Sequence, residues 1–214
     1  MTAELADRLA RGLQTLGLDL SPPVQQGLLD YLALMVKWNR VYNLTAVRDP
    51  QDMLTQHLLD SLSVLPPLLA HTQGRPTRIL DVGSGGGLPG VVLAICRPEL
   101  DVSCVDAVAK KVAFIQQVAV TLGLKNLRGL HARVEHLSET WPLITSRAFA
   151  SLLDFTTWSR PALADGGCWM AMKGKHPAEE IAALPPQVEV LAVQDLQVPD
   201  LNAERCLVWM RPKP

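Results

Sequence analysis

Two apolar runs that each end in an acid, separated by a helix-length interval, constrain the fold of this chain most. The first, Ile79 to Val82, contains Asp81 and passes directly into the glycine-rich stretch 83–87. The second, Val102 to Val105, ends at Asp106. The order of strand, glycine loop, helix, strand and acid is typical of the nucleoside-binding half of an open α/β sheet. Asp106 is therefore expected to accept hydrogen bonds from a ribose diol.

Two nucleoside cofactors fit this pattern. The loop contains the dinucleotide fingerprint as Gly85-x-Gly87-x-x-Gly90, so an NAD-dependent oxidoreductase is one alternative. A diphosphate over the loop would face the Asp81 carboxylate, and at roughly 6 Å with an effective dielectric of about 20 the repulsion is about 3 kcal/mol. S-adenosylmethionine carries an ammonium and a sulfonium, which the same carboxylate would attract. The sign of this interaction favours S-adenosylmethionine, with Asp81 as a residue of its site.

The rest of the chain alternates between strand-like and helix-like patterns. Strands are predicted near 78–82, 102–106, 127–131, 145–150, 167–173, 187–196 and 204–211. Helices are predicted near 89–97, 108–122, 151–164 and 177–184. Such alternation predicts a mostly parallel sheet with helices on both faces. The last two strands should pair as an antiparallel hairpin around a turn at Pro199 to Asn202. This is the usual Rossmann-like α/β architecture of class I S-adenosylmethionine-dependent methyltransferases.

The first 70 residues have a helical pattern. Leucines recur at helical spacing over residues 3–16, and Ser21-Pro22 and Asp49-Pro50 are typical helix starts. We therefore expect a helical extension over residues 1–70 and an S-adenosylmethionine-binding domain over residues 71–214. Pro66 to Pro76 is expected to be the connection between them.

Composition limits the class of protein. Among 214 residues, 48% are apolar and 19% are charged, as in an ordinary soluble globule. No apolar run approaches the ~20 residues of a membrane helix, so no membrane association is expected. The four cysteines form no C-x-x-C pair, which predicts reduced core thiols in a cytoplasmic protein and no metal site. The net charge of −1 gives no bulk signature of nucleic-acid binding, so an RNA site would need a local patch formed by folding. A monomer is the default expectation.

Several motifs together carry a family resemblance. They are Trp38-Asn39, Asn43-Leu44-Thr45, His57-Leu58-Leu59-Asp60-Ser61-Leu62, the loop from Asp81 to Gly90, Asp106 with Lys110-Lys111, Ser146-Arg147-Ala148 and Lys173-Gly174. This set closely resembles the RsmG family, also called glucose-inhibited division protein B. Members are 16S rRNA (guanine(527)-N(7))-methyltransferases, so the resemblance implies S-adenosylmethionine as cofactor and 16S rRNA, or a small ribosomal subunit precursor, as partner.

The resemblance also implies cofactor contacts at particular residues. They are Gly83, Leu88, Val134, Glu135 and Arg147. The chemistry of Glu135 and Leu88 is consistent with such contacts. The Glu135 carboxylate, beyond a strand end, can bind the adenine amino edge, and Leu88 can supply apolar cover. Arg147 is harder to place, since a cation near a sulfonium is unfavourable unless it binds the methionine carboxylate or RNA. The alternative for Arg147 is a solvated charge at a strand end.

Polar residues outside the cofactor motifs are candidates for substrate binding. They are Asn43, Thr45, His57, Asp60, Ser61 and Lys173. His57, Asp60 and Ser61 have the spacing of one helix face, which suits either RNA contact or a hydrogen-bonded packing cluster. Asn43 and Thr45 suit either a turn between helices or orientation of the substrate. Lys173 is expected either to contact an RNA phosphate or to be a surface lysine without a partner.

The chemistry predicted from the motifs needs no general base. The sequence contains no N-P-P-Y or D-P-P-Y segment for an exocyclic amine and no Pro-Cys nucleophile motif. Guanine N7 has an in-plane lone pair and no proton, so orientation alone can contribute ~7–11 kcal/mol to its methylation. No catalytic residue is proposed. Trp38 and Trp158 are candidate stacking platforms for a splayed base, with a buried core role expected for each. A methyltransferase acting on a protein or small molecule remains the alternative within this fold.

Overall fold

Helices form the N-terminal third of the structure. The computed structural model describes residues 3–213. The helical segments are α1 (Ala3–Thr15), α2 (Pro22–Tyr42), α3 (Pro50–Met53), a π-helical stretch (Leu54–Leu59), α4 (Asp60–Leu62) and α5 (Leu65–Thr72). Both predicted helix starts are confirmed, since Pro22 and Pro50 each lie in a first turn. Asp49 caps α3 by accepting hydrogen bonds from the backbone N–H groups of Gln51 and Asp52.

The connection predicted from Pro66 to Pro76 is wrong for most of its length. Pro66 and Pro67 lie in the first turn of α5, which continues to Thr72. Proline is tolerated there because the first N–H groups of a helix have no intrahelical acceptor. The chain leaves the helix at Gln73, which adopts a left-handed conformation with φ 54°. Residues 73–77 alone connect the helices to the sheet.

A seven-stranded sheet follows. Its strands are β1 (Arg78–Val82), β2 (Asp101–Asp106), β3 (Leu127–His131), β4 (Trp141–Arg147), β5 (Leu163–Lys173), β6 (Val188–Asp195) and β7 (Cys206–Pro212). The strand order is β3-β2-β1-β4-β5-β7-β6, with the first five strands parallel and β7 antiparallel to both neighbours. The predicted fold class is confirmed, including the hairpin. Its connection spans residues 196–205 and is longer than the predicted turn.

Helices cover both faces of the sheet. They are α6 (Gly90–Cys96), α7 (Ala109–Thr121), α8 (Leu152–Ser159) and α9 (Ala178–Ala182). Strand β4 was predicted over 145–150 but runs from Trp141 to Arg147. It ends there because Ala148 takes a left-handed conformation with φ 51°, which is incompatible with an extended strand.

Two hydrophobic clusters lie on opposite faces of the sheet. Along β1, Ile79 belongs to the cluster that contains the N-terminal helices and α6, whereas Leu80 and Val82 belong to the other. This alternation follows the two-residue period of a strand. The N-terminal helices therefore share a core with one face of the sheet, and the division at residue 70 stays a prediction.

Two further predictions concern the whole chain. All four cysteines are free and buried, as expected for core thiols. Among residues 3–213, no helix has both the length and the apolar character needed to cross a bilayer.

Candidate active site

A cleft of about 370 Å³ opens at the carboxyl edge of the sheet. The ends of β1, β2 and β4 and the segment after β3 surround it. The cleft is lined by Val82, Gly83, Val105, Asp106, Ala107, Lys111, Ala132, Arg133, Val134, Glu135, Ala148, Phe149 and Trp158. In open α/β sheets the crevice where the strand order reverses is the usual ligand site, and here the order reverses between β1 and β4. The location alone makes this cleft the candidate active site.

Asp106 is held rigidly at the wall of the cleft. Its Oδ2 accepts a hydrogen bond from the backbone N–H of Gly85 at 3.0 Å, and its Oδ1 accepts one from Val108 at 2.9 Å. The Lys111 ammonium lies 3.6 Å from Oδ2. A carboxylate has about four lone-pair sites, so two backbone contacts leave acceptors free for a ligand hydroxyl.

Gly83 and Phe149 are in close contact across the cleft. Gly83 has φ +64°, and a Cβ added to it would overlap the ring of Phe149. The Phe149 ring meets Trp158 edge to face, with centroids 5.8 Å apart. Trp158 is 39% exposed and lines the cleft, so the buried core role expected for it is wrong. Phe149 carried no sequence motif and was not identified from the sequence.

The segment after β3 forms the far side of the cleft. Val134 and Glu135 lie in a short 3₁₀ turn, Val134–His136. Val134 is buried and forms part of the apolar wall, whereas Glu135 is exposed at the rim. The structure therefore brings Val134 and Glu135 together with Gly83 and Asp106 around one cleft.

Asp81 does not line the cleft, contrary to our expectation. Strand alternation turns its side chain toward α6, where it is fully buried and Oδ2 accepts a hydrogen bond from the Gly90 N–H at 2.8 Å. Burial raises the pKa of Asp81 to about 7, so the carboxyl is partly protonated at neutral pH. The electrostatic preference for S-adenosylmethionine over NAD assumed a charged Asp81 that faces the ligand. The position of Asp81 does not support that assumption.

Leu88 and Trp38 also lie away from the cleft lining. Leu88 is buried in the core cluster shared by α6 and the N-terminal helices. Trp38 is half-buried, with its ring centroid 5.5 Å from that of Phe114 on α7 and 5.0 Å from that of Tyr42. The structure thus separates Leu88 and Trp38 from the residues that surround Asp106.

Arg147 points away from the cleft into a polar network with the N-terminal helices. Its Nη1 donates to Asp60 Oδ2 at 2.7 Å and to the Gln56 carbonyl at 2.7 Å. Asp60 Oδ1 accepts a second hydrogen bond from Arg205 Nε at 2.9 Å. Arg147 is therefore neither a solvated charge nor a lining residue of the cleft.

His57 connects this network to the segment after α2. Its Nε2 lies 2.8 Å from Thr45 Oγ1, and its Nδ1 lies 3.5 Å from Arg147 Nη2. Because a guanidinium only donates, Nδ1 is the acceptor and Nε2 carries the proton. Burial, and then the Arg147 charge, lower the pKa of His57 to about 4, so the ring is neutral at pH 7.

The remaining predicted substrate residues have varied surroundings. Ser61 is fully buried, and its Oγ has no hydrogen-bond partner among residues 3–213. Asn43 ends α2 in a left-handed conformation and is exposed. Lys173 Nζ donates to Glu180 at 2.7 Å and to the Ala150 carbonyl at 2.9 Å.

A smaller cavity of about 280 Å³ lies beside the cleft. It is lined by Asp60, Arg147, Ala148, Met172, Lys173, Gly174 and Arg205. Ala148 lines both cavities, so the polar network borders the candidate active site without entering it. Arg205 was missed by the sequence analysis because it lies in the hairpin connection, far along the chain from every motif.

The described chain offers no metal centre. Across residues 3–213, no group of three or more His, Cys, Asp or Glu side chains is arranged to hold an ion.

Comparison with known proteins identifies close relatives over nearly the whole chain. The family model described as rRNA small subunit methyltransferase G matches residues 24–208. The protein named ribosomal RNA small subunit methyltransferase G from Acidovorax sp. (strain JS42) is 63% identical, covering 95% of this chain and 94% of that protein. The protein of the same name from Polaromonas sp. (strain JS666 / ATCC BAA-500) is 61% identical, covering 96% of this chain and 92% of that protein.

Solved structures share the fold at much lower identity. TrmN from Thermus thermophilus superposes with a TM-score of 0.57 at 20% identity, covering 75% of this chain and 53% of that one. A SAM-dependent methyltransferase from Aquifex aeolicus gives a TM-score of 0.54 at 16% identity, covering 76% of this chain and 97% of that one. These likenesses show the class I methyltransferase fold.

Proposed function

The chain belongs to the rRNA small subunit methyltransferase G family, and from that membership we propose that it methylates N7 of guanine 527 in 16S rRNA. The methyl donor is S-adenosylmethionine, which supplies a methyl group on a positively charged sulfur. The observation that carries the proposal is the position of Asp106, held by Gly85 and Val108 in a cleft at the switch point of a sheet with this family's fold.

The residues of the cleft offer polar and apolar contacts for the methyl donor. Asp106 has free lone pairs for the ribose hydroxyls, and Glu135 stands at the rim where it can accept from the adenine amino group. Val134 supplies an apolar wall for the base. Gly83 has no Cβ, so its backbone is open to the amino-acid part of the donor once the ring of Phe149 moves aside.

The cleft is proposed to orient guanine N7 rather than to deprotonate it. N7 carries a lone pair and no proton, so the reaction needs orientation rather than proton transfer. Asp106 itself is held by two backbone N–H groups and faces Lys111, an arrangement that suits binding. We therefore assign no catalytic residue.

The residues outside the cleft are proposed to position its wall or to contact RNA. We infer that Thr45, His57, Asp60 and Arg147 fix the end of β4 through the polar network, with Ser61 packed beneath it. Asp81 and Leu88 support the glycine loop from below. Asn43 and Lys173 remain proposed RNA contacts.

Strand scission with borohydride and aniline, which cleaves RNA at N7-methylguanine, tests the proposal. Small-subunit RNA from cells lacking this protein should lose one cleavage band, and the wild-type gene should restore it. Asp106→Ala should restore it poorly, whereas Asp165→Ala should restore it fully. Asp165 is an exposed acid near the amino end of β5, whereas the cleft lies at the carboxyl ends of the strands. Persistence of the band in the deletion strain would refute the assignment.

Two finer parts of the proposal concern the substrate and the working state. We propose that the protein acts as a cytoplasmic monomer on 16S rRNA or on a small-subunit precursor. Methylation of deproteinised RNA and of isolated small subunits in parallel would identify the substrate. Sedimentation at the concentrations used in that assay would check the monomer.

A further inference from the structure

The C-terminal part of α2 presents an unusual combination of charge and exposed apolar surface. Residues 31–48 contain Lys37, Arg40 and Arg48 and no acid, although the whole chain has a net charge of −1. All three cations are exposed. Among the ion pairs within residues 3–213, none includes any of the three. Their charge is therefore available to an anionic partner.

Two exposed apolar side chains lie between these cations in the sequence. Val41 is 70% exposed and Tyr42 is 41% exposed. Lys37, Arg40 and Val41 have i, i+3 and i+4 spacing, so they share one face of α2. Tyr42 lies about 100° further round the helix than Val41. We call the end of α2 that carries Lys37, Arg40, Val41 and Tyr42, together with Arg48 in the segment that follows, the α2 surface.

The Tyr42 ring is supported from behind. Its centroid lies 5.0 Å from that of Trp38, which in turn packs 5.5 Å from Phe114 on α7. Trp38 is half-buried, so it braces Tyr42 rather than offering an open face of its own. A fixed and partly exposed ring at a helix end that also carries cations can bind unpaired nucleotides, by stacking on the base and pairing with the phosphates.

Contacts of α2 and of the segment after it lead toward the cleft on two sides. On one side, Phe114 belongs to α7, whose first turn contributes Lys111 to the cleft. On the other side, Thr45 contacts His57, which contacts Arg147 beside Ala148 in the cleft wall. Between them, the Tyr31 hydroxyl on α2 donates to the Gly86 carbonyl of the glycine loop at 2.6 Å. Helix α2 therefore packs against the glycine loop and α7, the two elements that lead into the cleft.

We propose that the α2 surface binds the single-stranded RNA next to the target guanine, with Tyr42 stacking on a base and Lys37, Arg40 and Arg48 contacting phosphates. This inference rests on the proposed function, because it assumes an RNA substrate. The α2 surface then provides the local positive patch that the overall charge of the chain does not provide.

Binding of a fluorescein-labelled 16S rRNA fragment that contains the target guanine tests the inference, read by anisotropy with the full chain. Lys37→Glu/Arg40→Glu should weaken binding about tenfold or more and lower the dependence of affinity on salt. Lys125→Glu is the control. Lys125 is also exposed and outside the ion pairs of the described chain, but it lies just before the amino end of β3, whereas the cleft lies at the carboxyl ends of the strands. It should change binding by less than about twofold.

Tyr42→Ala separates stacking from charge. It should weaken binding about fivefold or more with an unchanged salt slope, whereas Tyr42→Phe should bind as the wild type does. S-adenosylhomocysteine affinity should stay unchanged in every variant, since the mutated side chains lie outside the cleft. The unfolding midpoint should stay unchanged in Lys37→Glu/Arg40→Glu, Lys125→Glu and Tyr42→Phe, whereas Tyr42→Ala also loses the contact with Trp38.

Two results would overturn the inference. One is wild-type RNA affinity in the Lys37→Glu/Arg40→Glu variant. The other is a concentration-dependent dimer in sedimentation that Tyr42→Ala abolishes, because the surface would then join two copies of the chain. Failure of the proposed function is read separately, as persistence of the aniline cleavage band in the deletion strain.

Discussion

Asp60 on α4 accepts a hydrogen bond from Arg147 at the end of β4, with 2.7 Å between Oδ2 and Nη1. The same carboxylate accepts from Arg205 in the hairpin connection. One buried acid thus joins the N-terminal helices, the centre of the sheet and its antiparallel edge. Because Ala148 and Phe149 follow Arg147 directly, the position of the cleft wall depends on this contact.

Replacing Asp60 should therefore destabilise the protein markedly. Asp60 is 2% exposed, and its removal leaves two arginine side chains, 18% and 26% exposed, without their shared carboxylate. Breaking a fully buried pair costs about 3–5 kcal/mol, and partial exposure of the arginines reduces this to about 2–4 kcal/mol for Asp60→Ala. Urea unfolding measures the loss.

Glu189→Ala is the matched control for Asp60→Ala. Glu189 pairs with Arg211 at 2.7 Å on the exposed edge of the sheet, and such pairs contribute less than about 1 kcal/mol. Equal losses in the two variants would mean that the Asp60 network adds nothing beyond a surface ion pair.

Lowering the pH should destabilise the same network through His57. The pKa of this ring is about 4 in the folded protein, against an ordinary value of 6.5. Below pH 6.5 the unfolded chain binds a proton that the folded chain excludes, so stability is complete above pH 6.5 and falls toward pH 4. The free energy of unfolding should fall by about 3 kcal/mol in total over this range. Urea midpoints of the wild type and of His57→Gln at pH 7 and pH 5 isolate this contribution, which is absent if the two proteins respond alike.

Asp81 should show the opposite dependence on pH. Its pKa of about 7 lies above the ordinary 3.8, so the folded chain holds a proton that the unfolded chain releases. The associated stability is complete below pH 3.8 and is lost as pH rises through 7. Asp81→Asn cannot ionise, so its stability relative to the wild type should rise by about 3 kcal/mol between pH 5 and pH 8. A constant difference between the two proteins over that range would show that Asp81 does not change its ionisation.

The sequence predicted the sheet well, because strand periodicity and the glycine loop are local signals. Gly83, Asp106, Val134 and Glu135 line one cleft, because parallel strands bring their carboxyl ends to one edge, and their role as cofactor contacts stays a prediction. Prediction from the sequence failed for Asp81, where a single step along a strand turns the side chain to the other face. It also missed Arg205 and Phe149, whose roles arise from tertiary contacts that no local pattern encodes.

Cofactor binding should depend on Asp106 far more than on Asp81. Asp106→Ala removes a charged acceptor from the cleft wall and should weaken S-adenosylhomocysteine binding by about 1.5–3 kcal/mol. Asp81→Asn keeps a hydrogen-bond acceptor for Gly90 outside the cleft and should have a smaller effect. Calorimetric titration of both variants decides the matter, and an unchanged dissociation constant for Asp106→Ala would contradict its assignment to the ribose. Titration with NAD in parallel would reveal a dinucleotide site.

The contact between Gly83 and Phe149 should appear as coupling in a double-mutant cycle. Gly83→Ala places a methyl group in the Phe149 ring and also forces alanine to φ +64°, so it should lower stability and weaken S-adenosylhomocysteine binding. Phe149→Ala should bind the ligand at least as well as the wild type, because the ring no longer covers Gly83. In the double variant only the backbone cost of alanine remains. The combined loss should therefore be smaller than the sum of the single losses by about 0.5–3 kcal/mol. Additive losses would mean that Phe149 does not stand over Gly83 in solution.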